Sequence, residues 1–301
     1  MEQNEALPKL IVIGGTNATG KSGLAVELAK RFNGEIVSAD SRQVFKGYDL
    51  GSGKITRDEM QGVPHHLLDV CDSGDFFSVH DFQKLAYVAI DDILSRWKIP
   101  FLVGGTGLYV ASVSEGYVMS DRMPDLNYRA ELEAHSTEEL REMLLKVLPD
   151  IVIDQNNRNR MMRVLEKLHD GDDVQPTSRP RYDCLKLGVS WPREILKQRI
   201  DERLDRRFAQ GMVEEVKALL DEGTSVPFML KLGLEYKYIT QYIIGDYACF
   251  EDMKEELARA IKRFAKRQMI WFRRDKAFRW LDMAGNPFDE ASELIQAFLN
   301  A

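Results

Sequence analysis

Short, largely apolar runs that end in glycine or polar residues mark the candidate β-strands of this chain. The runs lie at residues 10–13, 35–38, 99–103 and 185–190. After the first run, Leu24, Leu28 and Phe32 fall at helical spacing, which predicts an amphipathic helix. Strands that alternate with helices are typical of α/β proteins. We therefore predict an α/β fold with a parallel sheet.

The strand pattern stops in the middle of the chain, where helices take its place. These helices are predicted at about residues 127–134, 137–146 and 156–170. Because the strand pattern resumes near residue 185, the helical block reads as an insertion into the α/β core. We predict a core of residues 1–118 and 185–301, with an inserted helical subdomain at residues 119–184.

A long helix is predicted over residues 251–274, and it has two chemically different faces. Apolar residues such as Leu257 and Ile261 share one face, and Gln268 falls among them, so its amide needs a buried partner. The opposite face is basic and comprises Arg259, Lys262, Arg263, Lys266 and Arg267. A solvated amphipathic helix and a polyanion-binding stripe are both consistent with this pattern.

Composition indicates a soluble globular protein, since 44% of the 301 residues are hydrophobic and 30% are charged. The net charge of −7 argues against a nucleic-acid partner, yet residues 259–279 hold nine Lys or Arg and one acid. Three separated cysteines without a CxxC pair favour a reducing cytosol. The polar residues 1–5 do not resemble a signal peptide, and no apolar run could span a membrane. We expect a cytoplasmic protein without a membrane partner.

The strongest motif follows the first strand and matches G-x-x-x-x-G-K-[ST]. Its residues are Gly15, Thr16, Asn17, Ala18, Thr19, Gly20, Lys21 and Ser22. A strand, a glycine-rich loop and a helix N-terminus turn backbone N–H groups toward one point, where a diphosphate or triphosphate can bind. Lys21 is predicted to reach the terminal phosphates and Ser22 to ligate Mg²⁺. The sequence therefore predicts a P-loop that binds a phosphorylated ligand.

Two further segments follow strand ends, where open α/β sheets bind ligands. Asp40 follows the second strand, and residues 42–75 after it are predicted as a long loop, a feature that is usually functional. The third strand ends in Gly104-Gly105-Thr106, where an ordinary nucleotide hydrolase would carry an acid for the metal ion. This departure argues against an ordinary NTPase.

Together these motifs resemble the tRNA dimethylallyltransferases, the isopentenyl transferase (IPP transferase) family that acts on the adenosine 3′ of the anticodon. The resemblance runs in collinear order along nearly the whole chain. It is carried by the P-loop and by residues 40–47, 63–69, 102–109, 160–166 and 265–268. The P-loop is common to many families, whereas its combination with Asp40-Ser41-Arg42-Gln43 and with residues 104–109 is specific.

The resemblance implies a P-loop kinase-like core, an inserted helical subdomain that binds the anticodon stem-loop of tRNA, and dimethylallyl diphosphate as donor with Mg²⁺. It implies that Asp40 is the catalytic base and that Thr106 contacts the target nucleotide. The target adenine must leave its stack, as other base-modifying enzymes require. The implied tRNA-contacting residues are Asp40, Ser41, Arg42, Gln43, Thr106, Arg129, Asn159, Arg160, Met161, Met162, Arg163, Arg263, Lys266, Arg267 and Gln268.

One departure from the family concerns residues 230–236, near which some members carry an arginine at the diphosphate. Lys231 is the cation that this chain offers there, and it lacks the bidentate geometry of arginine. The alternative function is a P-loop kinase of a nucleoside or small metabolite, with Asp40 as base toward a hydroxyl. A non-catalytic RNA-binding module is a third hypothesis. The expected oligomeric state is a monomer.

Overall fold

A parallel sheet forms the centre of the larger part of the molecule. The computed structural model describes residues 6–119, 125–174 and 177–301. It divides the chain into one unit of Met1–Gly116 with Pro180–Ala301 and a second unit of Tyr117–Arg179. Residues 1–5, on which the expectation about a signal peptide depends, lie outside the described residues.

The sheet has six strands among the described residues, in the order β3-β2-β4-β1-β5-β6. The strands are β1 (Lys9–Gly15), β2 (Gly34–Ser38), β3 (His65–His66), β4 (Ile99–Gly104), β5 (Asp183–Ser190) and β6 (Arg279–Asp282). Every adjacent pair is parallel, which confirms the predicted α/β fold with a parallel sheet. Gly14 of β1 lies opposite Gly104 of β4 and Gly188 of β5. The segments that follow these strands therefore meet at one edge of the sheet.

Helices cover both faces of the sheet and form the smaller unit. They are α1 (Lys21–Arg31), α2 (Arg57–Met60), α3 (Val79–Ser95), α4 (Gly107–Ser114), α5 (Leu126–Ala134), α6 (Thr137–Val147), α7 (Arg158–His169), α8 (Arg193–Ala209), α9 (Met212–Asp221), α10 (Val226–Leu232), α11 (Leu234–Ile243), α12 (Phe250–Phe272) and α13 (Pro287–Asn300). None of the helices in the described ranges is long and apolar enough to cross a membrane.

The core of the larger unit has three parts. One cluster joins one sheet face to α1 and α13, and a second joins the other face to α3 and α4. A third cluster lies among α8 to α12 and includes the fully buried Tyr48 and Tyr236. It fixes the helices that follow β5 next to the edge of the sheet where the P-loop lies.

The prediction of a structureless loop at residues 42–75 is wrong in two places. The short helix α2 has a capping box between Thr56 and Glu59, and β3 adds an edge strand of only two residues. A two-residue strand is too short to produce an alternating pattern, so periodicity could not reveal it. The edge strand β6 was missed for the same reason, since it has four residues and only Leu281 is buried.

The smaller unit is helical and is built from α5, α6 and α7. Its core contains Leu132, Leu140, Leu144, Met161, Met162, Val164 and Leu165. Glu166 of α7 is also buried, and it accepts hydrogen bonds from Arg129 at 3.0 Å and Arg163 at 3.1 Å. A buried carboxylate is costly without such partners, so these two arginines help to hold the unit together.

Candidate active site

A cavity of about 610 Å³ lies at the edge of the sheet where β1, β2 and β4 end. It is lined by the P-loop and the start of α1, by the ends of β2 and β4, by residues 49–56, and by residues of α8, α11 and α12. Its walls are polar near the P-loop and also contain apolar side chains, among them Leu50, Ile55, Ile200, Leu204 and Phe264. A ligand with a charged head and a short apolar tail would match this lining.

The P-loop makes a left-handed turn into the N-terminus of α1, a conformation that is compatible with phosphate binding. Gly20 takes a left-handed conformation with φ of 87° and leads into α1, so the amides at the start of this helix adjoin the cavity. The Thr19 hydroxyl donates to the Thr16 carbonyl at 2.9 Å and closes the loop from inside. Lys21 Nζ donates to the same carbonyl at 3.3 Å, which directs its side chain back over the loop.

Side chains from distant segments hold the loop from outside. The Trp191 indole donates to the Thr19 carbonyl at 2.9 Å, and Arg199 Nε donates to the Ala18 carbonyl at 3.0 Å. Because both carbonyls accept hydrogen bonds from distant side chains, this part of the loop is held in one conformation. This support comes from the segment after β5, which the sequence pattern did not connect to the P-loop.

Gln268 of α12 joins the P-loop to the end of β4. Its Oε1 accepts from the Asn17 backbone N–H at 3.1 Å, and its Nε2 donates to the Gly105 carbonyl at 2.8 Å. The side chain is only 7% exposed, so the prediction that this amide needs a buried partner is confirmed. Both ends of the amide are bonded to backbone, and its assignment to the tRNA contacts stays a prediction.

The missing acid after β4 has a steric explanation. A Cβ on Gly104 would lie 2.1 Å from the Ala39 carbonyl oxygen, and a Cβ on Gly105 would lie 2.9 Å from Gln268 Nε2. Gly104 cannot carry a side chain while β2 stays in place, and a side chain at Gly105 would displace the Gln268 amide. Tight packing of β4 against β2 therefore excludes an acid at position 104.

Asp40 and Thr106 are brought together by a small hydrogen-bond network. Asp40 Oδ1 accepts from the Arg42 backbone N–H at 2.9 Å, which forms a turn directly after β2. Thr106 Oγ1 accepts from the Ser41 backbone N–H at 3.0 Å and donates to the Ser41 hydroxyl at 3.3 Å. The turn is thereby fixed with Asp40 and Thr106 both lining the cavity, close to the P-loop.

Lys21 and Asp40 influence each other electrostatically. Burial lowers the pKa of Lys21, while the Asp40 carboxylate opposes that shift and the Arg207 guanidinium adds to it. A partly desolvated ammonium group gains from an added anion, because the opposite charge favours its protonated form. The site is therefore suited to bind a phosphate group next to a carboxylate.

Residues 49–54 also line the cavity, and side chains of α9 and α11 hold them in place. The Glu215 carboxylate accepts from the backbone N–H groups of Asp49, Leu50 and Gly51, at 2.6 to 3.1 Å. The Tyr236 hydroxyl donates to Glu215 at 3.0 Å and accepts from the Ser52 N–H at 3.0 Å. Gln43, predicted as a tRNA contact, donates to the Gly53 carbonyl at 3.2 Å and accepts from the Ser38 hydroxyl at 3.1 Å.

Sequence reasoning missed a row of arginines on α8. Arg199, Arg203, Arg206 and Arg207 all line the cavity. Their spacing of four, three and one places them on one face of a helix, so the signal was present in the sequence. It was overlooked because acidic residues between them keep the net charge of the segment low.

Lys231, considered as a substitute for an arginine of the family, is exposed on α10 and is not among the residues that line the cavity. Arg42, by contrast, lines the cavity, and its guanidinium also bonds the neighbouring Ser41 hydroxyl.

The basic face of α12 lies outside the cavity lining. Arg263, Lys266 and Arg267 are exposed, whereas Arg259 pairs with Glu255 at 2.8 Å and Lys262 pairs with Asp201 at 2.6 Å. The exposed cations form a surface that a polyanion could contact.

The predicted tRNA contacts of the helical unit fall into different classes. Asn159 and Arg160 are exposed at the start of α7. Met161 and Met162 are buried in the unit's core, so their side chains do not reach its surface. Arg129 and Arg163 are half-exposed and already bond Glu166, so they have both a structural contact and an open side.

Ser22 is the candidate metal ligand, and its side chain is exposed at the start of α1 and lines the cavity. Among the described residues, no group of three or more His, Cys, Asp or Glu could hold a metal ion by itself. A hydroxyl with few protein ligands beside it fits Mg²⁺, which is usually held by one or two protein groups, substrate phosphates and water.

Known proteins match this chain over most of its length. A model of the IPP transferase family matches residues 43–275, and a model of the isopentenyl transferase family matches residues 8–74. The tRNA dimethylallyltransferase 2 of Shewanella sediminis is 41% identical over 296 residues, which is 95% of this chain and 97% of that protein. The tRNA dimethylallyltransferase of Streptococcus pneumoniae is 42% identical over 268 residues, or 88% of this chain and 89% of that protein.

Two solved structures that resemble this chain are also transferases that act on tRNA. The full-length tRNA isopentenylpyrophosphate transferase from Bacillus halodurans is 38% identical, with a TM-score of 0.72 over 97% of this chain and 95% of that one. A eukaryotic dimethylallyltransferase acting on tRNA is 27% identical, with a TM-score of 0.75 over 92% of this chain and 74% of that one.

Proposed function

The chain belongs to the IPP transferase family, and from this membership we propose that it transfers a dimethylallyl group from dimethylallyl diphosphate to tRNA. The acceptor is the exocyclic amine of the adenosine 3′ of the anticodon. The relatives named above are transferases and none of them is a kinase, so they give the kinase alternative no support.

One observation supports this proposal most strongly. Lys21, Asp40 and apolar side chains line a single cavity beside a P-loop, and β4 ends without an acid. A diphosphate can bind the loop, a short prenyl tail can bind the apolar wall, and an acceptor amine can approach the carboxylate. An adenosine triphosphate site would ordinarily include the missing acid.

In the proposed reaction the bond between the allylic carbon and the diphosphate oxygen breaks, and a bond from that carbon to the adenine amine forms. The loop amides and Lys21 stabilise negative charge on the leaving diphosphate. Asp40 accepts the proton that the amine loses, so the proton and the leaving group depart on different sides of the reacting carbon. Thr106 fixes the turn that carries Asp40, and its place in the cavity lining supports its assignment as a contact of the target nucleotide.

Ser22 would hold Mg²⁺ together with the diphosphate, and the ion would supply further neutralisation of the leaving group. The proposed tRNA contacts are Arg263, Lys266 and Arg267 on α12 and, considered separately, Asn159 and Arg160 on the helical unit. Their exposure supports this assignment. We propose a monomer that acts in the cytoplasm, where unmodified tRNA is found.

The experiment that tests the donor is equilibrium binding of dimethylallyl diphosphate and of ATP in parallel, with and without Mg²⁺. Dimethylallyl diphosphate should bind in a Mg²⁺-dependent way, and Lys21→Ala should weaken binding severely because the buried cation is lost. Lys30→Ala, which removes an exposed lysine from the end of the same helix, is the control. Tight ATP binding without affinity for the allylic diphosphate would favour the kinase.

A further inference from the structure

We propose that Arg207, oriented by Glu235, is a second cationic anchor for the donor's diphosphate, facing the cavity from α8. The inference rests on the proposed function, because it concerns how the same cavity holds the donor. It assigns a diphosphate-binding role to a residue outside the P-loop, and it assigns to Glu235 the role of a positioning residue.

Arg207 is a buried charge with few partners. The residue is 9% exposed, and its Nη1 lies 3.6 Å from Glu235 Oε1. Within the described ranges, this ion pair is the one polar contact of the guanidinium. A guanidinium carries several N–H donors, and a single contact at 3.6 Å leaves most of them for another acceptor. A buried cation in this state gains strongly from an anion in the adjoining cavity.

A second arginine reaches the same place. A Cβ built on Gly53 would lie 1.4 Å from Arg207 Nη2 and 2.1 Å from Arg203 Nη2. The two guanidinium groups therefore lie side by side against the backbone of Gly53. Adjacent like charges repel each other unless an anion lies between or beside them. Their convergence at a cavity wall indicates a site for a multiply charged anion.

The P-loop lysine is electrostatically linked to this pair. The positive charge of Arg207 contributes to the lowered pKa of Lys21, although burial is the larger cause. Lys21 and Arg207 both line the cavity, so an anion bound there would interact with both. A diphosphate has enough oxygens and charge to contact the loop amides with one phosphate and the arginines with the other.

Glu235 orients the guanidinium of Arg207 through their ion pair. It lies in the first turn of α11 and is largely buried, and this burial raises its pKa, while Arg207 opposes the shift. Glu235 is the carboxylate within ion-pair distance of Arg207, whereas Lys21, Arg203 and Arg207 all line the cavity. Asp40 and Glu215 are further carboxylates whose charges act on Arg207. Asp40 belongs to the reacting end of the cavity, and Glu215 already accepts from the backbone N–H groups of residues 49–51.

The test is binding of inorganic pyrophosphate by calorimetry. Arg207→Met keeps an unbranched side chain and removes its charge. We expect it to weaken pyrophosphate binding roughly 10- to 100-fold, the usual worth of a hydrogen bond to a charged group. Arg193→Met is the matched control, because Arg193 is exposed at the start of the same helix and does not line the cavity. Binding within twofold of the wild type in Arg207→Met overturns the proposal.

A second variant distinguishes loss of pyrophosphate binding from loss of folding. Arg207→Met alone leaves Glu235 buried without its counter-charge, whereas Arg207→Met with Glu235→Gln removes both charges. The double variant should melt cooperatively and still bind pyrophosphate weakly. A folded double variant with wild-type affinity would show that the pair is structural and would overturn the proposal.

Two glycines provide a test that leaves every charge in place. Gly53 and Gly74 both have left-handed backbones, with φ of 64° and 89°, but nothing lies within 4 Å of a Cβ on Gly74. Gly53→Ala should displace the guanidinium groups and weaken pyrophosphate binding, and Gly74→Ala should not. Equal affinities in the two variants would contradict the proposed position of the arginines.

Failure of this inference can be told from failure of the proposed function. Transfer of the dimethylallyl group by an Arg207→Met enzyme with wild-type donor affinity would remove the anchor and leave the function intact. Pyrophosphate binding that depends on Arg207, in a wild-type enzyme that transfers no prenyl group, would uphold the anchor and reject the function. Absence of pyrophosphate binding in the wild type would reject the anchor.

Discussion

Asp40 is the residue on which the proposed chemistry most depends, and its surroundings allow a precise substitution. Its Oδ1 accepts one hydrogen bond, from the Arg42 backbone N–H. An asparagine can accept that bond in the same way, so Asp40→Asn should keep the turn after β2. The substitution removes the ability to take a proton from the acceptor amine.

We expect Asp40→Asn to leave the affinities for donor and tRNA within a few-fold and to slow transfer under single turnover by roughly 10²–10⁴, the usual contribution of a general base. Rapid-quench measurements at saturating tRNA and donor give this rate. Asp49→Asn is a suitable control, because Asp49 also lines the cavity and pairs with Lys54 away from the P-loop. A normal rate in Asp40→Asn would remove Asp40 from the mechanism.

Single residues also show what the sequence could and could not reveal. The P-loop was predicted from its spacing because backbone amides and one lysine define it locally. The partners of Gln268 were not predicted, because Asn17 and Gly105 are far from it in sequence and only the tertiary fold brings them near. A polar residue among apolar positions indicated that a partner exists, without identifying it.

At the scale of elements, α12 connects the P-loop to the segment that follows β4. Its apolar face is buried, Gln268 bonds the P-loop and the end of β4, and its basic face is exposed. Long helices with strong periodicity are the elements that sequence patterns predict best, and α12 at Phe250–Phe272 agrees closely with the predicted residues 251–274. The edge strands β3 and β6 were missed, because strands of two and four residues carry no period.

Gln268→Met should remove the hydrogen bonds from α12 to Asn17 and Gly105 while keeping the volume of the side chain nearly constant. It leaves the Asn17 N–H and the Gly105 carbonyl without their partner, so the free energy of unfolding should fall by about 1–3 kcal/mol. Donor binding should weaken as well, because the loop loses one of its external supports. Chemical denaturation and donor titration measure the two effects.

The control for this prediction is Gln296→Met, the same change at an exposed position on α13. It should leave both stability and donor affinity nearly unchanged. Wild-type stability and affinity in Gln268→Met would show that the hydrogen bonds seen from its amide do not support the loop.

At the scale of the whole molecule, charge is distributed unevenly. The net charge is −7, yet the cavity contains Lys21 and the α8 arginines, and residues 259–279 contain nine cations. Local fields govern encounter with a polyanion, so an acidic protein can still bind tRNA and a diphosphate. The net charge alone argues against a nucleic-acid partner. The clustering of cations in residues 259–279 is the feature of the sequence that favours one.

The central claim is that this protein joins a dimethylallyl group to tRNA by using its P-loop cavity for a prenyl diphosphate. The most direct test is incubation of the wild-type protein with unmodified tRNA, Mg²⁺ and labelled dimethylallyl diphosphate, followed by nuclease digestion and mass spectrometry of the nucleosides. ATP replaces the donor in a parallel reaction, and Lys21→Ala serves as the inactive control. We predict label on the amine of the adenosine 3′ of the anticodon, with none in the ATP or Lys21→Ala reactions. Unlabelled tRNA together with phosphate transfer from ATP to a small molecule would contradict the claim.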